Sequence, residues 1–170
     1  IEHYRVIADG IKNSTFWDVE KSKNWNMICL GARNEWEGKC FKKLLKVEIK
    51  TLDIGLGLNE VGLDYLMDFN LLPEDWDEKW NIVFSNSIDH SENPTFAFFE
   101  WLRVLKTDGL MVLGISSEEN EESNTDAADC AHLTEESVER FIDGTAKVDL
   151  LAKLPSSEKM RYTYYLLQKM

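Results

Sequence analysis

The sequence predicts an open, doubly wound α/β sheet of about seven strands with helices on both faces. Two observations carry this. Residues 80–116 read as strand, helix, strand: Ile82, Val83 and Phe84 form a buried strand, a helix starts at Asn93 and Pro94, and a turn at Thr107, Asp108 and Gly109 leads into a second buried strand over 110–115. A connection of that size needs a parallel sheet, and parallel sheets place ligands at the carboxyl ends of their strands. The second observation is what stands at those ends. Gly31, Asp53 and Asp68 each close a short apolar run, and Ser85, Asn86, Ser87, Asp89 and His90 follow the strand at 82–84.

The elements follow in order. Residues 2–12 put Tyr4, Ile7, Ala8 and Ile11 on one face of a short leading helix. The run 27–31 is short, apolar and ends in Gly, the profile of a fully buried parallel strand. Residues 35–46 form a basic amphipathic helix, with Trp36, Cys40, Phe41 and Leu44 expected inward. The second strand, 47–54, alternates apolar and polar residues. The stretch 55–62 is too rich in glycine for a helix, so the connection there is expected to shrink to a turn before a short third strand at 63–67. Residues 73–79 are expected to be an acidic surface connection.

Asn93 suits the N-cap of the helix over 94–105, and Pro94 its first position. The small, acidic stretch 116–129 reads as a mobile loop with access to the entrance of the site, a lid or an electrostatic guide for a cationic acceptor. Thr134 caps a further helix whose first turn holds Glu135 and Glu136, favourable for the helix dipole. The last two strands are expected at 146–153 and 160–169, with Tyr162, Tyr164 and Leu166 alternating in the final one.

Bulk properties narrow the function. The 170 residues, 44% of them apolar, fit one domain over 1–170. A sequence that begins on Ile1 is expected to lack native N-terminal residues or to come from a longer chain. No run approaches the roughly 18 apolar residues of a membrane span, and nothing resembles a signal peptide. Three widely spaced cysteines make neither a disulfide framework nor a zinc motif, and Cys29 reads as a small buried hydrophobe. A cytoplasmic location follows as the expectation, with no membrane partner. The net charge of −12 argues against nucleic-acid binding, which normally uses a basic patch. Lys39, Lys42, Lys43 and Lys46 read as the exposed face of a helix. A small or cationic substrate fits the charge better. His3 and His132 are isolated, and no metal-ligand spacing is present. Phosphate-loop and nucleophile-elbow signatures are absent, and the Gly-Leu-Gly of 55–57 follows the second strand without a final glycine, a poor dinucleotide fingerprint.

The segment 80–116 resembles the central part of class I S-adenosylmethionine-dependent methyltransferases of the type 11-like kind. There a strand ending in a polar Asn-Ser turn precedes an E-x-x-R-V-L-K helix and a glycine-led strand; Glu100, Arg103, Val104, Leu105, Lys106 and Gly109 match in place. The resemblance covers about residues 27–142. It implies a Rossmann-like sheet, mostly parallel, with the last strand inserted antiparallel between the fifth and sixth. It also implies S-adenosylmethionine as cofactor, S-adenosylhomocysteine as product, and methylation of a small-molecule or sugar hydroxyl.

By the same resemblance Gly31, Ala32 and Arg33 lie along the cofactor, and Asp53 binds the ribose. Asp68 takes the adenine amino group, Ile54 and Phe69 pack on the base, and Asn86 and Ser87 contact cofactor or acceptor. Methyl transfer gains most from positioning and desolvation. A hydroxyl acceptor also profits from a general base. His90 is the candidate, since histidine ordinarily titrates near neutrality, with Asp89 as substitute or as the group that orients it. The first loop departs from the family pattern: Arg33 and Glu35 stand where the second and third glycines would be, and side chains there hinder close backbone approach. Some branches carry an L-G-A-R-x-G-x-E version, and Glu37 falls on its acid. Two other readings therefore stand beside the first: a non-catalytic methyltransferase-like module for binding or assembly, and a nicotinamide-binding domain.

Overall fold

A computed structural model describes residues 2–55, 62–116, 133–154 and 162–170. Among these residues four α-helices, α1 (Glu2–Asn13), α2 (Trp36–Leu45), α3 (Pro94–Val104) and α4 (Glu135–Asp143), accompany seven strands. The strands are β1 (Asn26–Leu30), β2 (Glu48–Asp53), β3 (Tyr65–Leu66), β4 (Trp80–Ser85), β5 (Leu105–Ser116), β6 (Val148–Leu154) and β7 (Tyr162–Lys169). They form one sheet in the order β3-β2-β1-β4-β5-β7-β6. β1 to β5 run parallel, and β7 lies antiparallel between β5 and β6. The expected architecture is present, including the inserted last strand.

Because successive strand residues face opposite sides, each interior strand feeds two cores. Met27, Cys29, Phe84, Val112, Tyr164 and Leu166 join Ile7 and Ile11 of α1 and Phe41 of α2 on one face. Ile28, Leu30, Val83, Met111, Leu113, Tyr165 and Leu167 meet Phe98 and Trp101 of α3 and Val138 and Phe141 of α4 on the other. β7 is therefore buried on both sides from Thr163 to Gln168. Its alternation chooses between two apolar layers rather than between core and water.

Local chemistry explains the element ends. Asn93 Oδ1 accepts the Phe96 N–H at 3.1 Å and caps α3, with Pro94 in the first turn. Thr134 and Ser137 form a reciprocal capping box at the start of α4.

Four expectations need correction. Trp36 is not inward but 53% exposed; Glu37, Gly38, Phe41 and Leu45 are the buried residues of α2. The helix is rotated this way because it approaches β2 through Gly38, where a Cβ would lie 2.7 Å from Thr51 Cγ2. The turn at 107–109 is an irregularity inside β5. Pairing runs from Trp80 with Leu105 to Ile82 with Leu110, and Asp108 takes φ 61° between them. The connection 73–79 is not wholly superficial, since Trp76 is 3% exposed and stacks edge-on against Trp80 and Tyr65. The third strand is limited to Tyr65–Leu66. The shortened connection expected at 55–62 and the acidic loop at 116–129 lie, beyond Gly55, Gly62 and Ser116, outside the described residues. The lysines of α2 are exposed.

Candidate functional site

The parallel order brings the ends of β3, β2, β1 and β4 side by side, and hydrogen bonds tie them together. Gly31 N–H and Ala32 N–H both donate to Leu52 O, at 2.9 and 3.0 Å. Ser85 Oγ donates to Leu30 O at 2.9 Å and accepts Ser87 N–H at 3.1 Å, while Ser87 Oγ donates to Gly31 O at 3.2 Å. Gly31 sits at φ +71°, where only glycine is relaxed, and a Cβ there would lie 2.6 Å from Ser87 Cβ. The loops after β1 and β4 are thus in direct contact through Gly31 and Ser87.

The variant first loop keeps a glycine-like course. Arg33 takes φ 52°, the left-handed region that a glycine adopts freely and other residues enter at about 1–2 kcal/mol. Its side chain is exposed. Its N–H donates to Asp53 Oδ2 at 2.8 Å, so the strained residue is held by the very carboxylate expected at the ribose. Asp53 Oδ1 accepts Gly55 N–H at 3.0 Å. Glu35 lies outside this cradle, paired with Lys39 and folded over Gly62.

Asp68 is exposed, and its Oδ1 accepts both Asn70 N–H at 2.8 Å and Asn70 Nδ2 at 2.7 Å. Asn70 Oδ1 in turn accepts Ser91 Oγ, whose residue is fully buried. This links the turn after β3 to the segment after β4. Ile54 is 54% exposed beside Asp53, an apolar surface of the kind a base would cover. Phe69 is partly buried, edge-on to Trp101 at 5.5 Å, and its carbonyl accepts Trp101 Nε1 at 3.0 Å. Asn86, Asp89 and His90 are half-buried; Asp89 and His90 stand in the 3-10 turn Ile88–His90, whose last N–H donates to Ser87 O at 3.2 Å.

The residues predicted from sequence therefore converge on one sheet edge. Sequence reasoning noted Glu37 only as the acid of the variant loop and missed its burial and its tyrosine partner. Tyr4 of α1 donates to Glu37 Oε1 at 3.1 Å, and Tyr164 of β7 is hydrogen-bonded by Asn86. Gly114 makes room for that contact, since a Cβ there would meet both Tyr164 and Asn86 within 3 Å. Burial first, then the charge of Glu37, raises both tyrosines well above the ordinary phenol range. Glu37 itself is 8% exposed, and burial pushes its carboxyl up to about 7, helped by Asp53 and opposed by the Tyr4 hydrogen bond and Arg33.

A raised carboxyl pKa favours the fold below the ordinary glutamate range, and this contribution fades as pH rises through about 7. Glu37→Gln is therefore expected to stabilise the ligand-free protein at pH 8 relative to pH 5, by up to roughly 3 kcal/mol. Urea unfolding of both forms at the two pH values measures it; an equal difference at both would remove the argument.

No family model and no curated protein sequence matches the chain. Solved structures do. The CurJ carbon methyltransferase superposes with a TM-score of 0.69 at 15% identity over 98% of this chain, which spans 54% of that one. The 1,6-didemethyltoxoflavin-N1-methyltransferase of Burkholderia thailandensis, solved with 1,6-didemethyltoxoflavin and S-adenosylhomocysteine, gives 0.67 at 11% identity, covering 98% of this chain and 78% of that one. The chain has the class I methyltransferase fold. The cyclase SpnF gives 0.70 at 12% identity over 97% of this chain and 80% of its own. The methyltransferase fold thus hosts more than one reaction, and activity must be argued from the site. Among the described residues no helix is long and apolar enough to cross a membrane.

Proposed function

We propose that this chain is an S-adenosylmethionine-dependent methyltransferase acting on a small-molecule or sugar hydroxyl. The observation that carries the reading is the row Gly31, Asp53, Asp68 and Asn86 to His90 at the ends of four adjacent strands, joined by the Gly31–Ser87 contact and the Arg33–Asp53 hydrogen bond. The residues present fit the cofactor. Asp53 offers ribose hydroxyls a carboxylate, Ile54 an exposed apolar face, Asp68 an exposed acceptor for an amino group. Glu37 adds a buried carboxylate oxygen with no hydrogen-bond partner among the described residues.

When bound, the cofactor supplies a methyl group on a sulfonium. The chain's own contribution is to fix the nucleoside through Asp53 and Asp68, to place Asn86 and Ser87 against the cofactor and acceptor, and to receive the hydroxyl proton on His90, with Asp89 beside it. A cytoplasmic setting and a small-molecule partner belong to this reading.

Calorimetric titration with S-adenosylhomocysteine tests it: heat is expected, and none at millimolar ligand with the protein folded would sink it. A metabolite extract with labelled methyl donor then reports the acceptor. His90→Ala is expected to lower label transfer by about 10²–10⁴-fold while leaving the affinity for S-adenosylhomocysteine within about twofold. Loss of affinity in parallel would show instead that His90 holds the loop.

A second reading, a non-catalytic binding module, is favoured by Asp53 spending both oxygens on backbone N–H groups and by side chains at the second and third glycine positions. Cofactor co-purifying with the protein would count against it.

A further inference from the structure

Glu37 occupies the first turn of α2 with a carboxylate that the fold only half satisfies. Oε1 accepts Tyr4 Oη at 3.1 Å; Oε2 is buried and has no hydrogen-bond partner among the described residues. A buried carboxylate oxygen left this way is unfavourable unless a donor or cation reaches it. The groups that act on it come from every neighbouring element. They are Tyr4 of α1, Cys29 of β1, Asp53 of β2, Tyr164 of β7, Cys40 of its own helix, and Arg33 of the first loop. Of these groups Arg33 is the cation, and its exposed side chain is the weakest of the influences on Glu37. Asp53 adds a second negative charge from the expected ribose position. The surroundings are thus built to receive positive charge, and they adjoin the loop between Gly31 and Asn34.

Resting on the cofactor reading above, we propose that Glu37 Oε2 takes the α-ammonium group of the cofactor's methionine moiety. An ammonium brings three donors and a full opposite charge to an atom that has neither. The contact would also link cofactor binding to α1, because the other oxygen of the same carboxylate holds Tyr4. Ionisation of Glu37 follows from docking the cation, so a proton leaves as the ligand enters.

The experiment compares two ligands that share the nucleoside. S-adenosylhomocysteine carries the ammonium and lacks the sulfonium; 5′-methylthioadenosine lacks the amino-acid part altogether. In the wild type both are titrated by calorimetry, and the first is repeated in buffers of different ionisation enthalpy. Glu37→Gln, nearly identical in shape, is expected to weaken S-adenosylhomocysteine by about tenfold or more and to change 5′-methylthioadenosine by less than about twofold. The wild type should release protons on binding S-adenosylhomocysteine, more at pH 6 than at pH 8 because burial raises the Glu37 carboxyl in the free protein, and the variant none. Equal losses for both ligands, or no loss for either, would overturn the assignment, as would the absence of proton release. Should the variant not fold, proton release by the wild type decides alone. If neither ligand binds the folded wild type, the cofactor reading fails and takes this one with it; if both bind and Glu37→Gln changes nothing, only this assignment falls.

Discussion

Replacing Asp53 by alanine is expected to weaken S-adenosylhomocysteine by at least about a hundredfold, because two charge-assisted hydrogen bonds to ribose hydroxyls contribute about 1.5–3 kcal/mol each. The carboxylate has a second task in the free protein. It accepts Arg33 N–H and Gly55 N–H, and so fixes both loops that would border the cofactor. The bond from Arg33 N–H to Asp53 holds a residue in the left-handed region, so the alanine variant should also let the first loop relax. Asp53→Asn separates the two effects. It keeps an acceptor for one backbone N–H but loses the charge, and is expected to retain the melting temperature of the wild type while binding poorly. Calorimetry and thermal unfolding of the three proteins check this. Wild-type affinity in the alanine variant would remove Asp53 from the site.

The sheet was legible because its strands are buried on both faces. Such runs, as in Met27 to Leu30 and Ile82 to Phe84, are apolar, too short for a helix and closed by Gly or a polar residue, and length and flanks together mark them as strands. The E-x-x-R motif was legible too, and the structure shows what it does. Arg103 Nη2 donates to Leu72 O at 3.0 Å and Pro73 O at 3.3 Å, Arg103 pairs with Glu100 and Asp77, and Glu100 accepts Leu72 N–H at 3.2 Å. The motif clamps the connection before β4 to α3. It speaks for the fold and not for the chemistry.

What stayed hidden depended on contacts distant in sequence. Glu37 breaks the amphipathic pattern of α2, and its burial makes sense only with Tyr4, 33 positions away, and with the rotation that Gly38 sets against Thr51. Trp36 is exposed for the same reason. Trp76 hides in an acidic segment because one aromatic among carboxylates shows no periodicity. Ser91 and Asn70 escaped notice because their bond joins loops that only the strand order brings together.

Trp101 is the point at which packing and site meet, and its loss is expected to be the most destabilising single truncation near the site. The side chain is fully buried under the sheet, stacks edge-on against Phe69 at 5.5 Å, and donates Nε1–H to the Phe69 carbonyl at 3.0 Å. Cutting it to alanine removes a large apolar group and leaves a void in the core it shares with Ile88, Phe98 and Met111. Truncations of this kind cost about 3–5 kcal/mol, a large part of the 5–15 kcal/mol that holds a typical domain. Trp101→Phe should cost less, since most of the ring volume remains, but it deprives the Phe69 carbonyl of its donor. That carbonyl belongs to the turn that presents Asp68. The phenylalanine variant is therefore expected to stay folded and to lose affinity for adenosine-containing ligands by a few-fold, while the alanine variant unfolds at markedly lower urea. Urea curves followed by far-ultraviolet circular dichroism, with calorimetry on the phenylalanine variant, read the two effects separately. A shift of less than about 1 kcal/mol for Trp101→Ala would mean that α3 is not anchored through this residue, and an unchanged affinity in Trp101→Phe would mean that the turn at Asp68 holds its shape without it.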